Sequence, residues 1–337
     1  MGDPESDRLL VVAPSWIGDT VLAQSLFRTL KARDPGARLD VLAPPWCLLV
    51  LSRMPEVDAA IAAPLAHGRL RLRARYLLAR NLRRRRYAQA IVLPNSWKSA
   101  LVPFLAGIPR RTGWLGEQRY GLLNDWRRKR KTHAMTVQQY VALAAAPDAP
   151  LPEPLPRPAL QVNAVERETA LAALDLARPE RGMLALCPGA EYGPAKRWPA
   201  EHFAALARGF AARGGAVWLF GSRKDAPTTA QVNEHAGGVC TDLAGRTTLT
   251  QAIDLLALAD AVVTNDSGLM HVAAALDRRV IALYGSSDPA MTPPMSDKAV
   301  VLRTGIACSP CFKRECPYGH LRCLRELTPE RVTEILR

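Results

Sequence analysis

The sequence predicts an α/β protein built from two doubly wound, parallel-sheet domains. Short apolar, β-branched runs recur along the chain, each stopping at a turn rich in Gly, Ser, Asp or Pro before a helical pattern begins. Alternation of this kind gives a parallel sheet covered on both faces. The architecture occurs once in each half. Between the halves Pro147, Pro150, Pro152, Pro154, Pro156 and Pro158 fall within twelve residues, a composition that cannot continue a helix and favours an extended, semi-rigid linker. The domains are therefore set at residues 1–150 and 151–337, and a chain of 337 residues suits two units of roughly 100–200 each.

In order, the first strand is Leu9-Leu10-Val11-Val12-Ala13, and the loop Pro14 to Gly18 leads into an amphipathic helix from about Asp19 to Arg33. Leu39–Leu42, Ala59–Ile61 and Ala90–Leu93 read as further strands, with helical patterns between them, including an arginine-rich segment near 70–86. In the second half, strands are expected at Leu184–Leu186, Ala216–Phe220, Ala261–Val263 and Val280–Tyr284. Helices near 199–213, 249–258 and 267–276 separate them. The last helix, about 328–337, is a candidate to pack back on the first domain. Two Rossmann-like domains of this kind would face each other across a cleft between the carboxyl ends of both sheets, where ligands are expected.

The net charge of +14 is unevenly placed. Residues 1–150 hold 24 Lys or Arg against 11 Asp or Glu, and residues 151–337 hold 21 against 20. The first domain therefore faces something anionic. Arg69, Arg71, Arg73, Arg75, Arg80 and Arg83 to Arg86 dominate one segment, and Arg127-Arg128-Lys129-Arg130-Lys131 forms another. A nucleic acid, an anionic membrane surface and a merely solvated basic face all fit such runs. The basic runs lack the interleaved aromatics that stack bases, which argues against nucleic acid. No apolar stretch approaches the ~20 residues of a membrane span. The acidic, polar N-terminus is not a signal peptide, so a cytoplasmic location is expected.

Four of the seven cysteines cluster as Cys308-x2-Cys311-x4-Cys316-x6-Cys323. The spacing is compact enough for four thiolates to meet around one structural metal ion, though free or redox-labile thiols and disulfides stay open. Cys47, Cys187 and Cys240 lie in apolar contexts and read as core.

The turns carry the chemistry. Ala261-Val262-Val263 runs into Thr264-Asn265-Asp266-Ser267-Gly268-Leu269-Met270-His271, a buried strand turning into a helix. Asp266 or Ser267 suits the N-cap, and Gly268 lets a ligand approach the backbone. Such a helix start presents free N–H groups and partial positive charge to a phosphate. Pro188-Gly189-Ala190-Glu191 through Pro199 adds a glycine-bearing cradle with Lys196 and Arg197. It is not a Walker motif, but it fits a diphosphate held by a lysine and helix N-termini. Gly221-Ser222-Arg223-Lys224-Asp225 ends another strand, so Asp225 could meet a ribose hydroxyl. Asp19 opens the first helix, either as a favourable N-terminal acid or as a carboxylate placed to take a proton from a substrate hydroxyl.

Together with Trp16-Ile17-Gly18-Asp19, Leu93-Pro94-Asn95-Ser96-Trp97-Lys98-Ser99-Ala100-Leu101, Ala106–Trp114 and Arg119–Asp125, these turns resemble the bacterial ADP-heptose:lipopolysaccharide heptosyltransferases. That family consists of inverting GT-B glycosyltransferases, and the resemblance extends over nearly the whole chain. Within it the sequence is most similar to the type II branch. The resemblance implies transfer of L-glycero-D-manno-heptose from ADP-heptose to the first heptose of the lipopolysaccharide inner core, through an α-1,3 link. Type I transfer and protein heptosylation are the alternatives within the family; a basic nucleic-acid-binding protein is the alternative outside it.

The resemblance also implies roles. Asp19 matches the catalytic base. Lys196 matches the lysine that holds the donor diphosphate, and Asp266, Ser267, Gly268, Leu269 and His271 match the donor-binding helix start. Gly18 is counted with the donor site, Thr247 with the adenine pocket and Asp225 with the ribose. Asn95, Lys98, Arg110, Arg111 and Arg119 are the acceptor-side candidates. The implied partners are ADP-heptose, a lipid A-linked acceptor and the inner face of the cytoplasmic membrane, where the enzyme would be peripheral; the arginines at 69–86 are placed on that surface. The diphosphate site lacks an Asp-x-Asp motif, so no cofactor is expected in catalysis. A structural metal at Cys308, Cys311, Cys316 and Cys323 is compatible with the family.

Overall fold

A computed structural model describes residues 8–63, 70–128 and 132–337. Arg69, the basic Lys129, Arg130 and Lys131, and the acidic residues 1–7 lie outside the described residues. The chain divides into two compact units, Met1–Pro158 and Ala159–Arg337. The division thus falls at the last proline of the run rather than at residue 150.

The first unit runs β1 (Arg8–Val12), α1 (Ile17–Arg33), β2 (Arg38–Ala43), α2 (Leu48–Leu51), β3 (Ala59–Ala62), α3 (Leu72–Arg83), β4 (Gln89–Val92), α4 (Trp97–Leu105), β5 (Arg110–Trp114), β6 (Asp125–Arg127) and α5 (Thr136–Val141). Its six strands are all parallel, in the order β3-β2-β1-β4-β5-β6. β1 lies at the centre, with Val12 opposite Leu42 on one side and Val92 on the other. One face of the sheet packs Leu10, Val12, Leu42 and Val92 against Ala79 and Leu82 of α3 and Val102 of α4. The expected amphipathic first helix is instead buried almost all round, from Thr20 through Phe27. α5 and α2 pack against it.

The second unit runs α6 (Ala164–Ala173), β7 (Met183–Cys187), α7 (Ala200–Ala211), β8 (Ala216–Leu219), α8 (Ala226–His235), β9 (Thr241–Asp242), α9 (Leu249–Leu256), β10 (Ala261–Asn265), α10 (Gly268–Ala275), β11 (Arg279–Leu283), β12 (Ala299–Leu302), α11 (Arg322–Arg325) and α12 (Pro329–Leu336). Its strands are parallel in the order β12-β11-β10-β7-β8-β9. Counted within each unit, both sheets have the doubly wound order 3-2-1-4-5-6. Each therefore reverses direction between its first and fourth strands, the position where such sheets bind ligands. α12 packs on α7 inside its own unit, with Val332 in the core and Trp198 Nε1 donating to the Leu327 carbonyl at 2.7 Å. No helix among the described residues is long and apolar enough to cross a membrane.

Candidate functional site

In the second unit, the reversal lies between β7 and β10, and the loops after these strands carry Lys196 and Asp266. The Lys196 ammonium pairs with the Asp266 carboxylate, and both side chains are largely buried. Asp266 also accepts from the Ser287 hydroxyl, which follows β11. Lys196 stands 5.0 Å from the centre of the Tyr192 ring, a cation–π contact, and the Tyr192 hydroxyl donates to the Phe312 carbonyl at 2.7 Å. Asn265 ties the two loops together: its amide donates to the Pro188 carbonyl at 2.7 Å, and its carbonyl accepts from Trp198 N–H at 3.0 Å. Two glycines permit this close packing. A Cβ on Gly189 would stand 2.4 Å from the Asp225 carboxyl group, and one on Gly193 would stand 2.5 Å from the Arg314 carbonyl.

The helix cap differs from the expectation. Ser267 is the N-cap of α10, its hydroxyl caps no backbone N–H, and the Asp266 carboxylate is engaged by Lys196 and Ser287 instead. The start of α10 at Ser267, Gly268 and Leu269 is half-exposed and free of side-chain caps. Its N–H groups keep their capacity for an external anion. His271 lies one turn on, only 6% exposed, and its Nδ1 has no hydrogen-bond partner. Burial pulls its pKa down to about 4, with nearby Asp266 opposing and Lys196 assisting. The imidazole is therefore neutral at ordinary pH.

Asp225 follows β8 and accepts from the Ser222 N–H and hydroxyl at 2.9 and 2.7 Å, closing its own loop. Thr247 is half-buried in the bend between β9 and α9. Arg197, next to Lys196, donates to the Ala190 carbonyl at 3.5 Å.

In the first unit, the reversal lies between β1 and β4. Gly18 and Asp19 occupy the first turn of α1 after β1, and Asn95 and Lys98 flank the start of α4 after β4. These four belong to one edge of the sheet. Asp19 is half-buried beside Cys47 and Tyr140. Burial, and secondarily the Asp19 charge, drive the Tyr140 phenol well above its ordinary pKa; the buried Cys47 thiol is raised too.

The arginine candidates do not join them. Arg110 and Arg111 open β5 and so stand at the opposite edge of the sheet. Arg110 pairs with Asp125 at 2.9 Å. Arg111 donates to the Leu122 and Ile108 carbonyls at 2.7 and 2.6 Å. Arg119 is 1% exposed and donates to the carbonyls of Pro94 and Trp114 and, at 3.1 Å, to the Ser99 hydroxyl. Burial brings its pKa down to about 10, so it stays charged and holds the β4–α4 loop from beneath. The basic run divides similarly. Arg75 is buried, donating to the Leu70 and Lys98 carbonyls, and Arg85 pairs with Asp40 at 2.8 Å, whereas Arg73, Arg80 and Arg84 are exposed. Arg127 is buried against the Ala142 carbonyl.

The four clustered cysteines line one small cavity together with Ser286 and His320. As the side chains stand, no three His, Cys, Asp or Glu among the described residues are disposed to enclose an ion. Sequence reasoning gave no role to Tyr192 and Asn265, although both lie in the turns it singled out, and it missed Ser287. Ser287 lies in a Gly285-Ser286-Ser287 turn after a strand, the same signal that marked the other loops.

Residues 75–322 match the family described as glycosyltransferase family 9 (heptosyltransferase). The chain is 50% identical over 341 residues to the lipopolysaccharide heptosyltransferase 2 of Salmonella typhimurium, covering 98% of this chain and 97% of that protein. It is 45% identical to the lipooligosaccharide heptosyltransferase 2 of Haemophilus ducreyi, over 98% of both chains. Among solved structures, the ADP-heptose lipopolysaccharide heptosyltransferase II of E. coli is similar with a TM-score of 0.86 and 47% identity, covering 98% of this chain and 97% of that one.

Proposed function

The chain belongs to glycosyltransferase family 9, the heptosyltransferases, and is a glycosyltransferase; we propose that it moves L-glycero-D-manno-heptose from ADP-heptose to the first heptose of the lipopolysaccharide inner core. The observation that carries this reading is the Lys196–Asp266 pair beside the uncapped start of α10. A cation and free N–H groups at the reversal point of a parallel sheet make a diphosphate site. Thr247, Asp225, Lys196, Asp266 and Ser287 follow β9, β8, β7, β10 and β11, which are successive neighbours in the sheet. The donor would lie across these strand ends, with adenine and ribose toward Thr247 and Asp225 and the heptose toward Asp266 and Ser287.

In the proposed step, the acceptor oxygen attacks the anomeric carbon, the bond to the diphosphate breaks with inversion, and ADP departs. Asp19 takes the hydroxyl proton, help typically worth 10²–10⁴-fold. Lys196 and the N–H groups of α10 stabilise the charge that develops on the leaving diphosphate. Asn95 and Lys98 serve the acceptor side. Arg110, Arg111 and Arg119 hold the framework instead. Asp19→Ala should abolish ADP release while leaving ADP-heptose binding nearly intact; a large loss of donor binding would remove Asp19 from the role of base. Turnover with Kdo2-lipid A carrying one heptose, and none with the bare acceptor, tests the type II assignment. The reverse outcome makes this the type I enzyme.

We also propose a peripheral position on the cytoplasmic face of the membrane, through the exposed side of α3. Leu72, Tyr76 and Leu77 are about half exposed there among Arg73, Arg80 and Arg84, and no acid occurs between Asp58 and Glu117.

A structural metal at Cys308, Cys311, Cys316 and Cys323 completes the reading. The thiols share one cavity, and backbone N–H groups from Leu321, Tyr318, His320 and Gly319 favour the Cys316 thiolate. Four thiolates leave no open position, so the ion would stabilise the fold and take no part in transfer. Metal analysis of protein purified without chelator should find about one thiophilic ion per chain; four free titratable thiols and no metal would reject it.

A further inference from the structure

Four tryptophans of the first unit are left half out of the core: Trp16, Trp46, Trp97 and Trp126 keep 46%, 47%, 37% and 41% of their surface exposed, whereas Trp114, Trp198 and Trp218 keep at most 4%. Trp126 lies within the edge strand β6 and packs edge-on against Tyr120. The places of the other three in the fold are related. Trp16 ends the loop after β1, Trp46 lies three residues beyond β2, and Trp97 opens α4 after β4. β2, β1 and β4 are consecutive strands. The three residues thus follow the carboxyl ends of neighbouring strands, a row about 10 Å wide at a strand spacing of roughly 4.8 Å. The row is centred on β1, whose loop leads to Asp19 in the next turn.

Stability does not account for these residues. Trp16 is the N-cap of α1 and caps nothing with its side chain, at a position where Ser, Thr, Asp or Asn is preferred. A large indole that stays exposed forfeits most of the burial that makes it stabilising. Trp46 is fixed rather than loose: its Nε1–H donates to the Ser15 carbonyl at 2.8 Å, which anchors the ring edge to the loop that carries Trp16. The start of α4 at Trp97 is held by its N–H donating to the Glu117 carboxylate at 3.1 Å. An anchored, half-exposed indole presents a π face of partial negative charge, which attracts polarised C–H groups such as those lining one side of a pyranose ring. Lys98 lies beside Trp97, and although the Glu117 carboxylate sits at this turn, residues 59–116 carry no acid, a positive balance that suits sugars that carry carboxylates or phosphates.

We propose that Trp16, Trp46 and Trp97 form a carbohydrate-binding platform that stacks the sugar rings of the acceptor and sets its reacting hydroxyl at Asp19. This rests on the reading of the first unit as the acceptor domain. The three tryptophans are positioning residues, and Asp19 remains the group that meets the proton.

The test uses the full chain with Trp16, Trp46 and Trp97 each changed to Ala and, separately, to Phe. ADP release is followed against de-acylated, mono-heptosylated Kdo2-lipid A, and intrinsic tryptophan fluorescence is titrated with the same acceptor. Each Ala variant should raise the acceptor KM about ten-fold while kcat and the ADP-heptose KM move less than about two-fold. Each Phe variant should recover most of that loss. Acceptor should also shift the wild-type emission, and less so in each Ala variant. An unchanged acceptor KM in all three Ala variants, or an equal rise in the ADP-heptose KM, overturns the platform. Should the wild type turn over no such acceptor, the proposed reaction fails; the platform then stands only if the fluorescence titration still saturates and Trp→Ala abolishes the change. Platform-dependent self-association in sedimentation, with no response to acceptor, would assign the patch to a second copy and overturn the proposal.

Discussion

Lys196 and Asp266 are paired, so the cation that would meet the diphosphate is held in place by a carboxylate. Replacing Lys196 by Met removes a charged hydrogen-bond donor, worth about 1.5–3 kcal/mol. Calorimetry should then show ADP binding weakened by roughly ten- to hundred-fold. An unchanged Kd would exclude Lys196 from the nucleotide site. His271 offers a separate check. Its pKa is about 4 in the fold against 6.5 for an ordinary imidazole. Between those values the unfolded chain holds a proton that the native chain does not, so this contribution to stability is complete above about pH 6.5 and is lost as pH falls toward 4. The loss amounts to about 3 kcal/mol. Urea denaturation at pH 7.5 and 4.5 should show it in the wild type, with a clearly smaller pH dependence in His271→Asn. Parallel pH dependences in both proteins would contradict a buried neutral imidazole.

At the scale of elements, the loop between β4 and α4 depends on one buried guanidinium. Arg119 reaches the Pro94 and Trp114 carbonyls and the Ser99 hydroxyl from below. Arg119→Met would leave these acceptors unsatisfied at a cost of about 2–4 kcal/mol. It should raise the acceptor KM with little change in the donor KM, and Arg119→Lys should recover part of both effects. Intact stability in Arg119→Met would show that the loop is held by other contacts. This residue also marks a limit of reading by pattern. Arg110, Arg111 and Arg119 look alike in sequence, as cations in the segments that carry the family resemblance. Two of them open β5 at the far edge of the sheet, and the third turns inward. Strand direction and burial decide what a cation can touch. α1 shows the same effect: expected to be amphipathic, it buries its polar Thr20, Gln24 and Ser25 along with its apolar residues.

For the whole molecule, the charge asymmetry carries the prediction. The first half owns almost all of the net charge of +14, and exposed arginines on α3 stand beside half-exposed Leu72, Tyr76 and Leu77. Flotation with vesicles containing phosphatidylglycerol should retain the protein, and vesicles of phosphatidylcholine should not. Each of Arg73→Gln, Arg80→Gln and Arg84→Gln should lower partitioning about five-fold at low salt. Equal binding to both vesicle types would remove electrostatics from the attachment. Tight, salt-sensitive capture of an oligonucleotide in preference to vesicles would instead favour a nucleic acid as the partner.

The strand runs, the turns after them and the proline run determined by themselves that this is a parallel α/β chain with two sheets. Asp19, Lys196 and the Asp266–His271 turn were legible for the same reason: each follows a short apolar strand, and a parallel strand always delivers its following loop to one edge of its sheet. Strand order was not legible, because it depends on pairings between segments far apart in the chain. Only the tertiary structure placed β1 beside β4 and β7 beside β10, and so brought Lys196 to Asp266 and gathered three tryptophans around the strand that leads to Asp19. It alone sent the arginines inward or to the far edge. Local pattern carries the identity of the elements, while burial and neighbourhood are properties of the folded sheet.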